Sequence, residues 1–315
     1  MSVDAIQAKS GRIVRLDSAL DAIVSESAAI EKLAGGFSFT EGPVWIPEGY
    51  LLFSDIPENT IYKWSPDTGI EVFRKPSGCD RIGVAPGVFR GSNGLTLDAQ
   101  GRLTICEHGN RRVTRLEADG SLTVLASHFE GKRLNSPNDL VYKSDGALYF
   151  SDPPYGFPKQ DDDPEKELDF CGLYRLAGGE LQLLYKDLRR PNGLAFSPDE
   201  KYLYVSNSDP QRRIWMRFEV QGDGSIANGE VFYDVTNEAA AGSPDGLKVD
   251  KQGNLYCTGP LGVWVFTPGG KLLGRIEPPE RPANCHWGGA DAKTLYITAQ
   301  TSLYRIRTNI EGIRP

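Results

Sequence analysis

Long apolar segments, clusters of basic residues and a paired set of cysteines are all missing from this sequence of 315 residues. Because a spanning helix needs a run of about 18 apolar residues, we expect no membrane partner. The net charge of −7, without a basic run, argues against nucleic acid. The five cysteines are odd in number and have no metal-ligand spacing, which is typical of reduced thiols. Charges interrupt the N-terminal residues before a secretory signal develops, so we expect a cytoplasmic location.

Several catalytic motifs are absent as well. The sequence has no Gly-x-Ser-x-Gly nucleophile motif and no phosphate-binding or dinucleotide-binding glycine loop. Cys285 and His286 are adjacent, but neighbouring side chains on a strand point to opposite faces. Nucleophilic catalysis by serine or cysteine is therefore not indicated.

What the sequence does contain is a repeat. A short polar opening with glycine recurs at intervals of about 50 residues, and short apolar strands and turns follow it. The six openings are TEGPVW (40–45), SNGLTLD (92–98), PNDLVY (137–142), PNGLAF (191–196), PDGLKVD (244–250) and HWGGAD (286–291). Repeats of this length with about four strands each are typical of a β-propeller. We predict an all-β fold, a six-bladed β-propeller with four antiparallel strands per blade.

The last repeat has only three strands before the chain ends. An open sheet edge is usually avoided, and residues 29–39 have the apolar spacing of the missing outer strand. We therefore predict a single propeller domain over 29–315, with the last blade closed by the N-terminal segment. Residues 1–28 form an N-terminal arm, and 16–30 have the pattern of an amphipathic helix. The arm is either a surface segment or the contact of a homodimer.

Antiparallel strands bring the six openings and the loops between second and third strands to the same end of the propeller. Two connections at this end are long. The loop over 152–171 is acidic and aromatic, which predicts a lid or a pocket wall. The link over 76–91 reaches the same face.

Five of the openings carry an oxygen-bearing side chain: Glu41, Asn93, Asn138, Asn192 and Asp245. Carboxylate and amide oxygens suit a hard divalent ion, Ca²⁺ before Mg²⁺ or Mn²⁺. Asn-Gly and Asp-Gly pairs also make tight turns into strands, and composition does not decide between the two interpretations. The proline before three of these residues favours the metal site, because it places the polar group at one equivalent position in successive blades.

The six openings and the strands that follow them resemble the gluconolactonase/regucalcin (senescence marker protein) family of six-bladed propeller lactonases over residues 30–308. The resemblance implies one divalent cation in the channel, held by Glu41, Asn192 and Asp245, with Asn138 as a fourth ligand or a substrate contact. Ca²⁺ is expected, with Mg²⁺, Mn²⁺ or Zn²⁺ as alternatives. Animal members have an arginine two residues before that asparagine, whereas this chain has Ser136, so their substrate is not transferred.

The predicted reaction is the metal-dependent hydrolysis of a sugar-acid lactone, a small-molecule partner. A cation would polarise the lactone carbonyl and stabilise its oxyanion. Asp245 resembles the proposed general base of the family, and His108 is the rival base, with an ordinary pKa of about 6.5. The side chains expected to bind the substrate are Asn93, Asn138, Tyr155 and His286.

Two other functions are kept open. One is a hydrolase of phosphotriesters, aryl esters or non-sugar lactones at the same metal site, favoured by aromatic residues near the channel: Phe89, Tyr155, Phe157 and Trp287. The other is a calcium-binding or interaction propeller without catalysis. The sequence does not distinguish δ-lactones from γ-lactones.

Overall fold

A computed structural model describes residues 11–83 and 87–314. In these residues six antiparallel sheets follow one another around a central channel, and the six-bladed β-propeller predicted from the repeat is confirmed. The first strand of each blade lies innermost. Each sheet is covered on both sides by its neighbours, which is why the inner strands of blades one, two, four and six are buried along their whole length.

The chain begins with β1 (Arg12–Arg15), the single helical turn α1 (Leu20–Ile23) and β2 (Glu31–Gly35). Blade one consists of β3 (Thr40–Ile46), β4 (Tyr50–Asp55), β5 (Thr60–Ser65) and β6 (Gly69–Arg74). Blade two consists of β7 (Ser92–Leu97), β8 (Leu103–Glu107), β9 (Arg112–Leu116) and β10 (Leu122–Ala126). A small hairpin of β11 (His128–Phe129) and β12 (Lys132–Arg133) follows.

Blade three consists of β13 (Leu140–Tyr142), β14 (Leu148–Asp152), β15 (Gly172–Ala177) and β16 (Glu180–Tyr185), with a 3₁₀ helix (Gln160–Asp162) between β14 and β15. Blade four consists of β17 (Pro191–Phe196), β18 (Tyr202–Asn207), β19 (Ile214–Val220) and β20 (Ile226–Asp234). Blade five has β21 (Leu247–Val249), β22 (Leu255–Thr258), β23 (Val263–Phe266) and β24 (Leu272–Glu277). Blade six has β25 (Pro282–Gly288), β26 (Thr294–Ala299) and β27 (Ser302–Arg307).

The N-terminal segment closes the ring, as the sequence predicts. Strand β2 pairs antiparallel with β27, with Lys32 opposite Tyr304, and so becomes the fourth strand of blade six. The first and last parts of the chain thus share one sheet, which removes the open edge that blade six would otherwise have.

The part of the arm that the structure describes packs against the propeller. Strand β1 pairs with β24 and adds a fifth strand to blade five. The helix expected over 16–30 is only the turn α1, and the Arg15 guanidinium binds the carbonyls of Val24 and Ser25 just beyond it. Leu20 and Ile23 are buried in the apolar core between blades five and six. Residues 1–10 of the predicted arm lie outside the described residues.

The opening of the sixth blade lies earlier than predicted. In blade four Leu194 pairs with Val205, and at the equivalent place in blade six Cys285 pairs with Ile297. The opening that corresponds to PNGLAF is therefore PANCHW at 282–287 rather than HWGGAD at 286–291. The prediction was wrong because this blade has no Asn-Gly pair to mark the turn, while the two glycines that mimic one lie at the end of the strand.

The C-terminal residues cover part of the last two blades. Gly312 forms a bridge with Asp250 and packs on Trp287. A β-carbon at Gly312 would lie 1.6 Å from Trp287 Cγ, so only glycine fits there. Across the ranges 11–83 and 87–314, no helix is long and apolar enough to cross a bilayer.

Candidate active site

A cavity of about 470 Å³ opens at the end of the channel where the first strands begin. Residues from the openings and from the loops between second and third strands line it together, which confirms the prediction that both lie at one end. The cavity brings together seven of the eight residues predicted to form the site: Glu41, Asn93, His108, Asn138, Tyr155, Asn192 and Asp245.

The three asparagines form a chain of hydrogen bonds across the channel. Asn93 Nδ2 donates to Asn138 Oδ1 at 2.6 Å, and Asn138 Nδ2 donates to Asn192 Oδ1 at 2.6 Å. Asn192 Nδ2 continues the chain to Ser208 Oγ at 3.0 Å, and that hydroxyl donates to the carbonyl of Pro244. Each amide thus fixes the orientation of the next, and the openings of blades two, three and four are held as one polar surface.

His108 is buried beside these three asparagines, and its contacts allow the ring proton on either nitrogen. Nε2 lies 3.2 Å from Asn138 Oδ1 and 3.4 Å from Asn93 Nδ2, while Nδ1 lies 3.3 Å from the carbonyl of Phe89. Burial lowers the pKa of His108 to about 4, so the ring is neutral and only one nitrogen carries hydrogen. When Nδ1 donates to Phe89, Nε2 is free to accept from Asn93 or from a ligand.

Both carboxylates of the site are costly to ionise. Burial raises the pKa of Asp245, and the charge of Glu41 raises it further, with Arg281 acting in the opposite direction. Burial also raises the pKa of Glu41, and the charge of Asp139 adds to this. Glu41 is 2% exposed, whereas Asp245 is partly open to the cavity. Such a pair is stable in its ionised form only when positive charge is supplied nearby.

Sequence reasoning missed two polar residues at the channel axis, Asp139 and Asn284. They occupy the position that is glycine in the other openings, and both are almost fully buried. Asn284 Nδ2 donates to Glu41 Oε2 at 3.0 Å and to Asp139 Oδ2 at 3.2 Å. Lys248 Nζ lies 4.0 Å from the same oxygen of Asp139. The amide therefore separates two carboxylates and fixes the side chain of Glu41.

Close packing explains why the other openings keep glycine. A β-carbon at Gly246 would lie 2.0 Å from Asn284 Cγ, and one at Gly42 would lie 1.9 Å from the carbonyl oxygen of Asn93. The missed signal was present in PNDL and PAN, where Asp139 and Asn284 replace this glycine. It becomes visible only with the sixth blade in its correct register.

The residues at the channel end fit a divalent cation. Asn93 Oδ1 is buried and accepts no hydrogen bond from any residue that the structure describes. Asn192 Oδ1 accepts one hydrogen bond and keeps a second lone pair. Among the described residues no three His, Cys, Asp or Glu side chains cluster as a metal site. The donor set therefore consists of two carboxylates and neighbouring amide oxygens, a combination that hard ions such as Ca²⁺ prefer.

The loop over 152–171, called the lid loop below, accounts for the serine at position 136, where animal members of the family have arginine. Ser136 Oγ donates to the carbonyl of Pro153 at 2.5 Å and accepts from the backbone N–H of Gly156 at 2.9 Å. A β-carbon at Gly156 would lie 2.8 Å from that of Ser136. The lid backbone thus packs against this position, which requires a short side chain. Tyr155 and Gln160 of the lid reach the cavity. In the link over 76–91, residues 84–86 lie outside the described part.

The structure does not bring His286 to the cavity. Its ring is 3% exposed and lines a separate pocket of about 130 Å³ with Lys248 and Arg314. The imidazole points away because the true opening begins at Pro282, and Asn284 takes the axial position instead. Of the predicted aromatic walls, Phe89 lines the cavity, Phe157 stacks on Arg111 and Trp287 is fully buried.

Comparison with known proteins supports the resemblance found in the sequence. The family model described as the SMP-30/Gluconolactonase/LRE-like region matches residues 39–301. The chain belongs to this family. The gluconolactonase of Zymomonas mobilis is 40% identical over 314 residues, which cover 96% of this chain and 87% of that protein. A solved gluconolactonase structure from Xanthomonas campestris is 34% identical with a TM-score of 0.84, and 98% of each chain is covered. The structure of a calcium-binding regucalcin from Agrobacterium tumefaciens shares the fold at 21% identity, with a TM-score of 0.69 over 90% of this chain and 97% of that one.

The region matched by the SMP-30/Gluconolactonase/LRE-like model contains every residue named above as lining the cavity. It leaves out β1, α1 and β2 at one end and β27 at the other. The matched region therefore carries the site, while the strands that close the ring lie beyond it.

Proposed function

We propose that this protein hydrolyses a sugar lactone. The observation that carries the proposal is the cavity, in which two carboxylates and three hydrogen-bonded amides meet. The sequence that builds it is 40% identical to a gluconolactonase over nearly the whole chain. Amide and hydroxyl groups on the walls suit a ligand rich in hydroxyl groups.

Glu41, Asn192 and Asp245 would hold one divalent cation, with Asn138 as a fourth ligand or a contact to the substrate. Ca²⁺ fits this oxygen donor set, and Mg²⁺, Mn²⁺ and Zn²⁺ are alternatives. When bound, the cation supplies the positive charge that polarises an ester carbonyl and stabilises its oxyanion. The Asn284 amide orients the Glu41 carboxylate through its hydrogen bond to Oε2.

Asp245 is the proposed general base. Its carboxylate is partly open to the cavity, where it can accept a proton from a water molecule that attacks the lactone carbonyl. His108 is a weaker candidate, because burial lowers its pKa to about 4 and a group of that pKa is a poor base near neutral pH. We assign His108, Asn93 and Tyr155 to substrate binding.

Aryl esters, phosphotriesters and non-sugar lactones form a second candidate substrate class. Phe39 and Phe89 line the cavity with their ring centroids 5.0 Å apart, and Ile56 lies beside them. This apolar wall favours a less polar ligand than an aldonolactone.

The test is proton release from a panel of aldono-δ- and γ-lactones by the chelated protein, with Ca²⁺, Mg²⁺, Mn²⁺ or Zn²⁺ restored in turn. Spontaneous opening of the δ-lactones is subtracted. Hydrolysis that returns with metal and is lost in Asp245→Asn supports the proposal. Turnover of aryl esters or phosphotriesters alone would replace it with the second class, and absence of metal binding would refute the cation site.

A further inference from the structure

The residues that line the cavity include two arginines, Arg190 and Arg281, and only Arg190 is paired with other residues that the structure describes. Arg190 is tied into the lid: Nη1 pairs with Asp161 at 2.6 Å and donates to the carbonyl of Arg189 at 2.9 Å, while Nη2 donates to Gln160 at 3.2 Å. Its charge is neutralised inside the protein, so Arg190 is a structural anchor of the lid rather than a free binding group.

Arg281 lines the same cavity without such partners. It is exposed, and within residues 11–83 and 87–314 it makes no hydrogen bond and no ion pair. Its stem passes over Gly242, where its Cδ would lie 3.1 Å from a β-carbon on that glycine. It directly precedes Pro282, the first residue of β25, so a rigid strand fixes its backbone at the mouth of the channel.

The charges around the cavity leave Arg281 in excess. A divalent cation would balance Glu41 and Asp245, and Arg190 pairs with Asp161, which also contacts Arg189 outside the cavity. One positive charge then remains among the residues that line the cavity. A ligand with one negative charge away from its ester would complete the balance, since unpaired charge at the mouth of a binding cavity steers and selects ligands of opposite sign.

We infer that Arg281 selects sugar lactones that carry an anionic oxygen group, a carboxylate or a phosphate monoester, on the carbon remote from the lactone carbonyl. The guanidinium fork binds such groups through two parallel hydrogen bonds. This inference rests on the proposed lactonase function and names the substrate class of the same site.

A second explanation for the arginine is the new carboxylate that forms when any lactone opens. The two explanations differ in one respect: the new carboxylate forms from neutral and from anionic lactones alike. A matched pair of substrates therefore separates them. D-Glucono-1,4-lactone and D-glucaro-1,4-lactone have the same ring and differ only in a hydroxymethyl group against a carboxylate at the sixth carbon.

The experiment compares kcat/KM for this pair, and for D-glucono-1,5-lactone with and without a 6-phosphate, in the wild type, Arg281→Gln, Arg281→Lys and Arg305→Gln. Arg305 pairs with Glu31 at the outer edge of the same blade and controls for the loss of one charge.

We expect the wild type to prefer an anionic substrate. Arg281→Gln should lower kcat/KM for that substrate about 10- to 100-fold, because it removes a hydrogen-bonded charge pair. The neutral lactones should change less than about twofold, Arg281→Lys should keep part of the preference, and Arg305→Gln should keep all of it. A response to the carboxylate alone or to the phosphate alone would identify which anionic group the site takes.

Equilibrium binding gives a readout without turnover. By calorimetry, D-glucarate should bind more tightly than D-gluconate to the wild type, and this difference should disappear in Arg281→Gln. Equal losses on neutral and anionic lactones, or no effect of Arg281→Gln, would overturn the inference while hydrolysis of neutral lactones left the proposed function standing. A wild type that hydrolyses no lactone would instead refute the proposed function.

Discussion

Replacing Asn284 with aspartate tests the polar arrangement at the channel axis. The substitution exchanges an N–H donor for an oxygen at nearly constant volume, 3.0 Å from Glu41 Oε2 and 3.2 Å from Asp139 Oδ2. At an effective dielectric constant of about 20, each of these contacts between ionised carboxylates costs about 5 kcal/mol. The protein can avoid much of this cost by protonating the new carboxyl. We therefore expect Asn284→Asp to lower the free energy of unfolding by about 3–5 kcal/mol at pH 8, as for an uncompensated buried charge.

The pH dependence of this loss has a definite sign. Repulsion raises the pKa of the new carboxyl in the folded state above its ordinary value of about 3.9. A group with a raised folded pKa costs little below its unfolded pKa and destabilises increasingly as pH rises through its folded pKa. The gap between variant and wild type should therefore be small at pH 5 and largest at pH 8.

Chemical denaturation of the chelated protein from pH 5 to pH 8 measures this gap. Asn59→Asp is the matched control, because Asn59 Oδ1 accepts backbone N–H groups from Ser77, Gly78 and Cys79. A carboxylate there would keep these donors and lose only the hydrogen bond from Nδ2 to the carbonyl of Cys79, with no second carboxylate of the described residues in contact. The control should show no comparable widening with pH. A gap that does not change with pH, or one that Asn59→Asp reproduces, would show that the Asn284 amide does not separate two carboxylates.

Three further predictions concern single positions. Asp245→Asn should lower lactone turnover at least 100-fold yet raise the melting temperature of the chelated protein above pH 7, because it removes one of two repelling carboxylates. Burial lowers the pKa of His108 to about 4, so the folded protein loses stability as the pH drops from about 6.5 to 4. His108→Gln removes this loss. In denaturation curves the variant should therefore lose less stability on acidification than the wild type, by up to about 1.4 kcal/mol per pH unit. Gly312→Ala places a β-carbon 1.6 Å from Trp287 Cγ and should cost about 1–3 kcal/mol, with a change in tryptophan fluorescence.

The fold could be predicted because its determinants are local and repeated. Polar openings, glycine turns and short apolar runs recur with one period, so one correctly interpreted repeat predicts the others. Ring closure by β2 followed from counting: the last repeat lacked a strand, and an apolar segment ahead of the first repeat was unassigned. The pairing of β1 with β24 was missed, because four residues with two arginines carry little strand signal.

Most cavity residues could be predicted for the same reason. Glu41, Asn138, Asn192 and Asp245 occupy one equivalent position, and a propeller brings equivalent positions together at the channel. His286 was misplaced because the sixth opening has lost its glycine. Register there is set by pairing with β26 across the sheet, which no local motif records.

The residues that sequence reasoning could not find act on one another across the ring. Glycine at the position after the opening residue is required wherever a neighbouring blade leaves no room for a β-carbon, as at Gly42 and Gly246. Only blades three and six place larger side chains there, Asp139 and Asn284, and these two meet on the axis as acceptor and donor. Among the residues that the structure describes, the Asn284 amide would keep only Glu41 as an acceptor without Asp139, and Asp139 Oδ2 would keep only Lys248 at 4.0 Å without Asn284, so the effect of each substitution depends on the other. This coupling joins positions 145 residues apart in the sequence, and only the closed ring brings them into contact.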